Sequence, residues 1–209
     1  MSIRTRGAAL ALCLCLMTPP IAIGADAGNP DTYTFDKQQT NITFSWGHLG
    51  ISRQSARLLD VDGRLEFDTN AAERSSIEVT MKVASIWSGV GELDRQLKSS
   101  DYFNAFQFPT MTFKSTAVRT TGEKTGEVTG DLTILGQARP VTLAVIWNFG
   151  GEHPLSTLNP AFKDKFVSGF TATTKLLRSE WGMTRGTPLT TDEIEITINT
   201  EMIRKPTPQ

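Results

Sequence analysis

The stretch from Gly130 to Phe149 places the tightest limit on what this chain can fold into. Two apolar-alternating runs, Leu132-Thr133-Ile134 and Val141-Thr142-Leu143-Ala144-Val145-Ile146-Trp147, are joined by Gly136-Gln137-Ala138-Arg139-Pro140, which is the pattern of a β-hairpin. Alternation at period 2 puts Val141, Leu143, Val145 and Trp147 on one face and Thr142 and Ala144 on the other. A strand with one greasy face has to bury it. The same grammar recurs along most of the chain, which predicts an antiparallel all-β protein whose apolar faces converge on one interior.

Tyr33-Thr34-Phe35 alternates, and Asn41 to Trp46 does so clearly, with Ile42, Phe44 and Trp46 sharing a face. Gly47-His48-Leu49-Gly50 permits a turn or bulge, and the more polar Ser52 to Leu59 carries the least marked strand pattern. After the turn at Asp62-Gly63, Leu65 and Phe67 alternate with charged residues, and Ile77, Val79, Met81 and Val83 repeat the pattern. Further strands are predicted at Met111-Thr112-Phe113, Phe166 to Leu177 and Asp192 to Glu201, the last with Ile194, Ile196 and Ile198 in step. The period changes once, where Val90, Leu93 and Leu97 predict a helix over about Glu92 to Ser99 with Asp94 facing Lys98. One amphipathic helix on a barrel is expected to close an open end. Gly150 to Lys165, with Gly151, Pro154 and Pro160 and no periodicity, reads as a loop of the length reserved for lids or mouths. About eight strands and one helix fit a closed up-and-down barrel, because closure removes exposed edges; a two-sheet sandwich is the alternative that periodicity does not exclude.

Met1 to Ala27 has the build of a secretory signal: Arg4 and Arg6, an apolar run from Gly7 to Met17, then small residues, with cleavage expected after Ala25 or Ala27. That predicts a leader over 1–25 and a single domain over 26–209. The apolar run is well short of the roughly 20 residues a spanning helix needs, and Pro19-Pro20 follows it. Both cysteines, Cys13 and Cys15, lie in the leader, so the core rather than a disulfide has to stabilise the exported domain. Cleavage after Ala25 removes Arg4 and Arg6 from the 21 basic residues and none of the 22 acidic ones. A mildly acidic domain without a basic run argues against a nucleic-acid partner, and nothing after the leader is long or apolar enough to insert stably in a membrane.

Catalytic patterns are sparse. His48 and His153 are the two histidines, far apart, and neither zinc spacing nor a zinc helix is present. Asp60-Val61-Asp62-Gly63 starts like a calcium loop but lacks the later acids, so it reads as a turn. Glu92, Asp94 and Asp101 fit solvation and capping of an exposed helix face as well as they fit paired carboxylates. No catalytic residue, metal ligand or required cofactor is assigned.

Several motifs in order resemble the YceI-like family of exported, lipocalin-like, polyisoprenoid-binding proteins. They are Ser45-Trp46-Gly47-His48-Leu49-Gly50, the run from Glu92 to Asn104, Phe108-Pro109-Thr110-Met111-Thr112-Phe113-Lys114-Ser115, Gly130 to Gly136 with Arg139-Pro140-Val141-Thr142-Leu143, and Arg178-Ser179-Glu180-Trp181-Gly182-Met183. The resemblance implies an eight-stranded antiparallel barrel with a helix near its mouth, a long apolar ligand threaded into it, a periplasmic location and no catalytic set. One departure stands out. Where family members often carry an arginine two residues before the Gly-Phe of the penultimate strand, this chain has Val167.

The inward faces supply the ligand-binding candidates: Ile42, Phe44, Trp46, Phe67, Val79 and Met81 from the first half, and Phe113, Leu143, Val145, Trp147, Phe170 and Ile196 from the second. Periodicity alone leaves a cavity and a solid core equally open, since small barrels are often filled with side chains; the resemblance favours a cavity. An apolar tunnel gains about 0.8 kcal/mol for each buried CH₂ group, so a long hydrocarbon is held without a charged anchor; the resemblance implies that this partner is an isoprenoid lipid of the polyprenyl phosphate or ubiquinone type. His48, Arg95, Tyr102 and Arg178 are the head-group candidates. A homodimer, a lipocalin-shaped enzyme with an apolar substrate and a ligand-free interaction protein are the other readings the residues leave open.

Overall fold

The computed structural model describes residues 29–206, and the predicted leader lies outside them. Eleven strand segments follow in order: β1 (Asp31–Phe35), β2 (Asn41–His48), β3 (Ser52–Leu58), β4 (Val61–Phe67), β5 (Ser76–Lys82), β6 (Ile86–Trp87), β7 (Thr110–Gly122), β8 (Thr125–Ile134), β9 (Gln137–Glu152), β10 (Phe166–Leu177) and β11 (Glu193–Arg204). A single α-helix among the described residues, α1 (Gly91–Lys98), stands between β6 and β7.

These segments make an eight-stranded antiparallel barrel because three of its staves are interrupted. Both β1 and β2 lie against β11, with Phe35 opposite Met202 and Asn41 opposite Asn199. In the next stave β4 pairs with β1 and β3 with β2, and beyond it β5 pairs with β4 and β6 with β3. From β7 to β11 each strand pairs with the next without a change of stave, and the β1–β11 pairing closes the ring. Closure leaves no long unpaired edge, which is the barrel rather than the sandwich.

The interruptions lie side by side. Asp36 to Thr40 separates β1 from β2, Leu59-Asp60 separates β3 from β4, and a 3-10 turn over Val83–Ser85 separates β5 from β6. Ion pairs cross them on the outside: Lys37 Nζ lies 3.5 Å from Asp60 and 3.1 Å from Asp62, and Lys82 Nζ lies 2.6 Å from Asp60. The Lys82 hydrogen bond, more than any other contact, holds the Asp60 carboxyl below its usual range.

The opening hairpin turns more tightly than its sequence suggests. Leu135 and Gly136 take φ values of 51° and 72°, which makes a two-residue connection of the kind that matches strand twist. Pro140 therefore sits inside β9, opposite Asp131 of β8. It is tolerated because β10 meets β9 only as far as Ala144, so its missing N–H removes no ladder bond. On β8, Gly130 is required by close approach: a Cβ there would lie 2.5 Å from the Lys114 carbonyl oxygen, beside the β7 bulge between Ser115 and Ala117.

Side chains alternate inward apolar and outward polar around the ring, the inverse of a membrane-spanning barrel. No helix among the described residues is long and apolar enough to cross a membrane. One end is held by α1 and by the segment from Arg178 to Asp192. Arg178, 5% exposed, organises that segment: its guanidinium donates to the carbonyls of Met183 (2.9 Å), Arg185 (2.9 Å), Thr190 (3.2 Å) and Thr191 (3.0 Å) and to the hydroxyls of Thr187 and Thr190. Trp181, fully buried, donates from Nε1 to the Gln137 carbonyl at 3.0 Å and ties the segment to β9.

Arg178→Met leaves these acceptors facing an apolar side chain and is expected to cost about 3 kcal/mol or more in urea denaturation, with Arg178→Lys recovering only part because an ammonium has three donors against five. The Asp60 network carries a pH signature. A carboxyl whose folded pKa is depressed contributes fully above the ordinary carboxylate range, and the contribution is lost as pH falls through the folded value. The difference in thermal midpoint between wild type and Asp60→Asn is therefore expected at neutral pH and to close in acid.

Candidate functional site

The barrel interior is hollow. Val79, Leu143, Val145, Trp147, Phe170 and Ile196 point inward yet remain only half-buried, because they face a cavity of about 630 Å³, in the range of small-molecule sites. Ile42, Phe44, Trp46, Phe67, Met81 and Phe113 are buried and line the same cavity. The structure thus brings all twelve inward candidates to one wall. Their local cause is the strand period. Every second residue of β2, β5, β9 and β11 points in, and the wall's own N–H and C=O groups are spent on neighbouring strands.

Small residues keep the space open. Val145 is flanked by Gly126 of β8 and Ala172 of β10, neither of which reaches far into the ring. Val128, Leu132 and Ile134 of β8 and Met111 of β7 extend the lining. Sequence reading finds only the Leu132 to Ile134 end of β8, because Gly130 falls where the alternation needs an apolar side chain, although Val128 keeps the period.

At the helix end the cavity meets Leu93, Gln96 and Leu97 of α1, Val90 before it, and Tyr102 and Phe103 after it. Phe103 packs edge-on against Phe44 with ring centroids 5.7 Å apart. The helix start is fixed by Asp94, which accepts 2.6 Å hydrogen bonds from the Ser88 hydroxyl and the Ser88 N–H. The hydroxyl bond is the largest influence holding the Asp94 carboxyl below its usual range. Asp94 is thus turned toward Ser88 rather than spent on a pair with Lys98. At the opposite end Phe67, Trp147 and Phe170 make an aromatic floor, Phe67 lying 5.3 Å from each of the other two rings, and Trp147 Nε1 donates to Ser168 Oγ at 2.9 Å. Beside this floor the lining runs out along the β7–β8 hairpin through Arg119, Gly122, Glu123, Lys124 and Thr125.

The four head-group candidates separate. His48 and Tyr102 line the cavity at the helix end, His48 also bridging to Thr190. Arg178 reaches the lining as well, but its guanidinium donors are occupied by protein acceptors, so it is a structural cation rather than a free anchor. Arg95 lies outside the cavity on the exposed helix face, paired with Glu92. The expected lid is also corrected. Glu152 and Gly151 belong to β9, the loop covers 153–165, and none of its residues lines the cavity. His153 instead stacks on Phe162 at 4.0 Å and the Leu155 N–H donates to His153 Nδ1, so the loop packs on itself. Val167, buried in β10, does not line the cavity either.

Two cations at the hairpin end escaped sequence reading. Arg119 is paired with Glu127 at 2.7 Å, whereas Lys124 lines the rim and, among the described residues, has no ion pair. A Gly-Glu-Lys turn between strands signals only a hairpin tip. Glu92 and Asp101 lie off the cavity, Asp101 3.2 Å from Arg185. Among the described residues no three histidine, cysteine or acidic side chains gather into a metal-binding group.

The model of the YceI-like domain matches residues 33–202. A UPF0312 protein of Pseudomonas putida strain W619 is 34% identical over 200 residues, which cover 95% of this chain and 96% of that protein. Among solved structures, the YceI protein of Campylobacter jejuni superposes with a TM-score of 0.68 at 26% identity, over 77% of this chain and 90% of that one. A polyisoprenoid binding domain from Saccharophagus degradans, implicated in plant cell wall breakdown, shares the fold with a TM-score of 0.57 at 9% identity, over 83% of this chain and 98% of that one. With a match across nearly the whole barrel and a relative of like length, this chain belongs to the YceI-like domain family.

Proposed function

We propose that the protein is an exported, periplasmic carrier that holds a long-chain isoprenoid lipid, of the polyprenyl phosphate or quinone type, inside the barrel without chemical turnover. The observation that carries this reading is the apolar cavity, lined by all twelve inward side chains, of which Val79, Leu143, Val145, Trp147, Phe170 and Ile196 are only half-buried. An elongated hydrocarbon is the cargo that such a wall rewards, by about 0.8 kcal/mol for each CH₂ it buries. The polar groups suit the two ends of an amphiphile. His48 and Tyr102 supply hydrogen bonding at the helix end, the match for a quinone carbonyl, and Lys124 supplies a positive charge at the hairpin rim, the match for a phosphate. Reaction chemistry has little to work with: His48 is the imidazole and Glu123 the carboxylate among the lining residues. The roles consistent with a carrier are transport, storage and protection of the lipid in the envelope.

Native mass spectrometry of protein purified from its own compartment without detergent is expected to show a stoichiometric adduct that organic extraction identifies as a prenyl lipid; a clean apo mass that persists after incubation with polyprenyl phosphates and quinones would reject the carrier reading. Val145→Trp fills the space between Gly126 and Ala172. It is expected to abolish binding of the longest prenyl chains first, with circular dichroism unchanged, and undiminished long-chain binding by the folded variant would place the cargo elsewhere.

A further inference from the structure

At the hairpin end one seam of the barrel stops short. The β5–β7 ladder ends with Glu78 opposite Lys114, and the next residue of β5, Ile77, donates its N–H to the Ser115 hydroxyl at 2.8 Å rather than to a backbone carbonyl. There β7 is bulged between Ser115 and Ala117, and from Ala117 to Thr120 it has β8 as its strand partner among the described residues. Neighbouring seams keep their ladders to this end, with Asp31 opposite Phe67, Tyr33 opposite Arg204 and Phe166 opposite Glu152. Both sides of the gap line the cavity: Ala72, Ser75 and Ser76 on one, Val118, Arg119 and Thr120 on the other. Ser76, Arg119 and Thr120 are exposed, so the lining reaches the surface on both sides.

Glu73 spans the gap. It stands on a 3-10 turn over Ala72–Arg74, and its carboxylate accepts from the Thr120 hydroxyl and, at 3.3 Å, from the Thr120 N–H. The strap behind it, 68–75, is tied to itself. Asp68, 6% exposed, accepts from the N–H groups of Asn70 (2.9 Å) and Ala71 (3.0 Å) and from the Arg74 guanidinium, while its own N–H donates to Ser75 Oγ at 3.0 Å. The shape of the strap therefore does not depend on Glu73. A ladder yields only when successive backbone bonds break together, whereas Glu73 crosses this gap with one exposed carboxylate, a contact that opens locally without unfolding the barrel. The helix end has no such joint, since its closing segment is tied by the Arg178 contacts and by the fully buried Trp181.

We propose that cargo enters and leaves the cavity between this strap and β7, with the Glu73–Thr120 contact as the latch of the gate. The inference rests on the carrier reading for the identity of the cargo. The hydroxyls of Ser75, Ser76 and Thr120 and the Arg119 guanidinium line the mouth, so a polar head passes it without being stripped of hydrogen bonds. Because the latch is closed before and after passage and broken only during it, removing the latch lowers the barrier in both directions and leaves the affinity as it was.

Glu73 does not line the cavity, so Glu73→Ala removes the latch and leaves the wall intact. The variant is compared with the wild type by stopped-flow exchange of a fluorescent polyprenol and of N-phenyl-1-naphthylamine, a small apolar dye that reports a hollow barrel whatever its natural cargo. It is expected to bind and release both probes about fivefold faster at unchanged Kd, and its Thr120 amide to exchange hydrogen faster than that of the wild type. In a Cys13→Ser/Cys15→Ser background, Glu73→Cys/Thr120→Cys bridged by a reducible bis-thiosulfonate linker is expected to trap bound polyprenol until dithiothreitol reopens the gate. Wild-type exchange rates in both engineered proteins would overturn the gate and leave the carrier reading intact. Faster release from Glu73→Ala with an equal loss of affinity would make Glu73 part of the binding site and overturn the gate as well. A wild type that takes up the dye but no polyprenol would reject the cargo, with the dye's exchange rates then upholding or overturning the gate; a barrel that takes up neither overturns both.

Discussion

The girth of a closed sheet is set by the number and tilt of its strands, before any side chain is chosen. Here eight staves close through the β1–β11 pairing, and the interior is then occupied only as far as inward residues reach. Ile42, Phe44, Trp46, Met111 and Phe113 pack toward the helix end, and Tyr33, Phe67 and Met202 pack at the other. Between them the wall carries valine, leucine and isoleucine beside Gly126 and Ala172, and it does not meet across the middle. Because the wall's backbone is paired within the sheet, the polar features of the cavity are confined to its ends.

Much of this was legible in the sequence because a strand's period is short and local. The run from Val141 to Trp147 identified its inward face correctly, and Phe166 to Leu177 coincides with β10. The helix from Gly91 to Lys98 departs from expectation by one residue at each end. Legibility failed where long-range pairing decides. Nothing local shows that β1 and β2 share one partner, or that Pro140 can stay in a strand because β10 ends its pairing at Ala144. Gly130 and the bulge at Ser115 hid the full length of the β7–β8 hairpin for the same reason.

The site divides along the same line. Apolar lining follows from alternation, so all twelve inward residues could be named in advance. A charged side chain is different, since its role depends on the acceptors that distant segments bring to it. Arg178 and Arg95 look alike as sequence, yet one is enclosed by six acceptor contacts from 183–191 and the other lies on an outer helix face beside Glu92. The loop after β9 misled by its length and composition, which describe a lid equally well as a segment packed on its own Phe162.

The aligned interruptions in the first three staves give the barrel two unlike halves. From β7 to β11 the wall is made of long strands, stiff along their length. The other half is jointed at one height, where Lys37, Asp60 and Lys82 fasten neighbouring segments from outside. Exposed pairs of that kind are worth about 0–1 kcal/mol each and weaken with salt. The stiff half therefore fixes one side of the cavity through unbroken ladders, while the jointed half relies at one height on contacts that salt weakens.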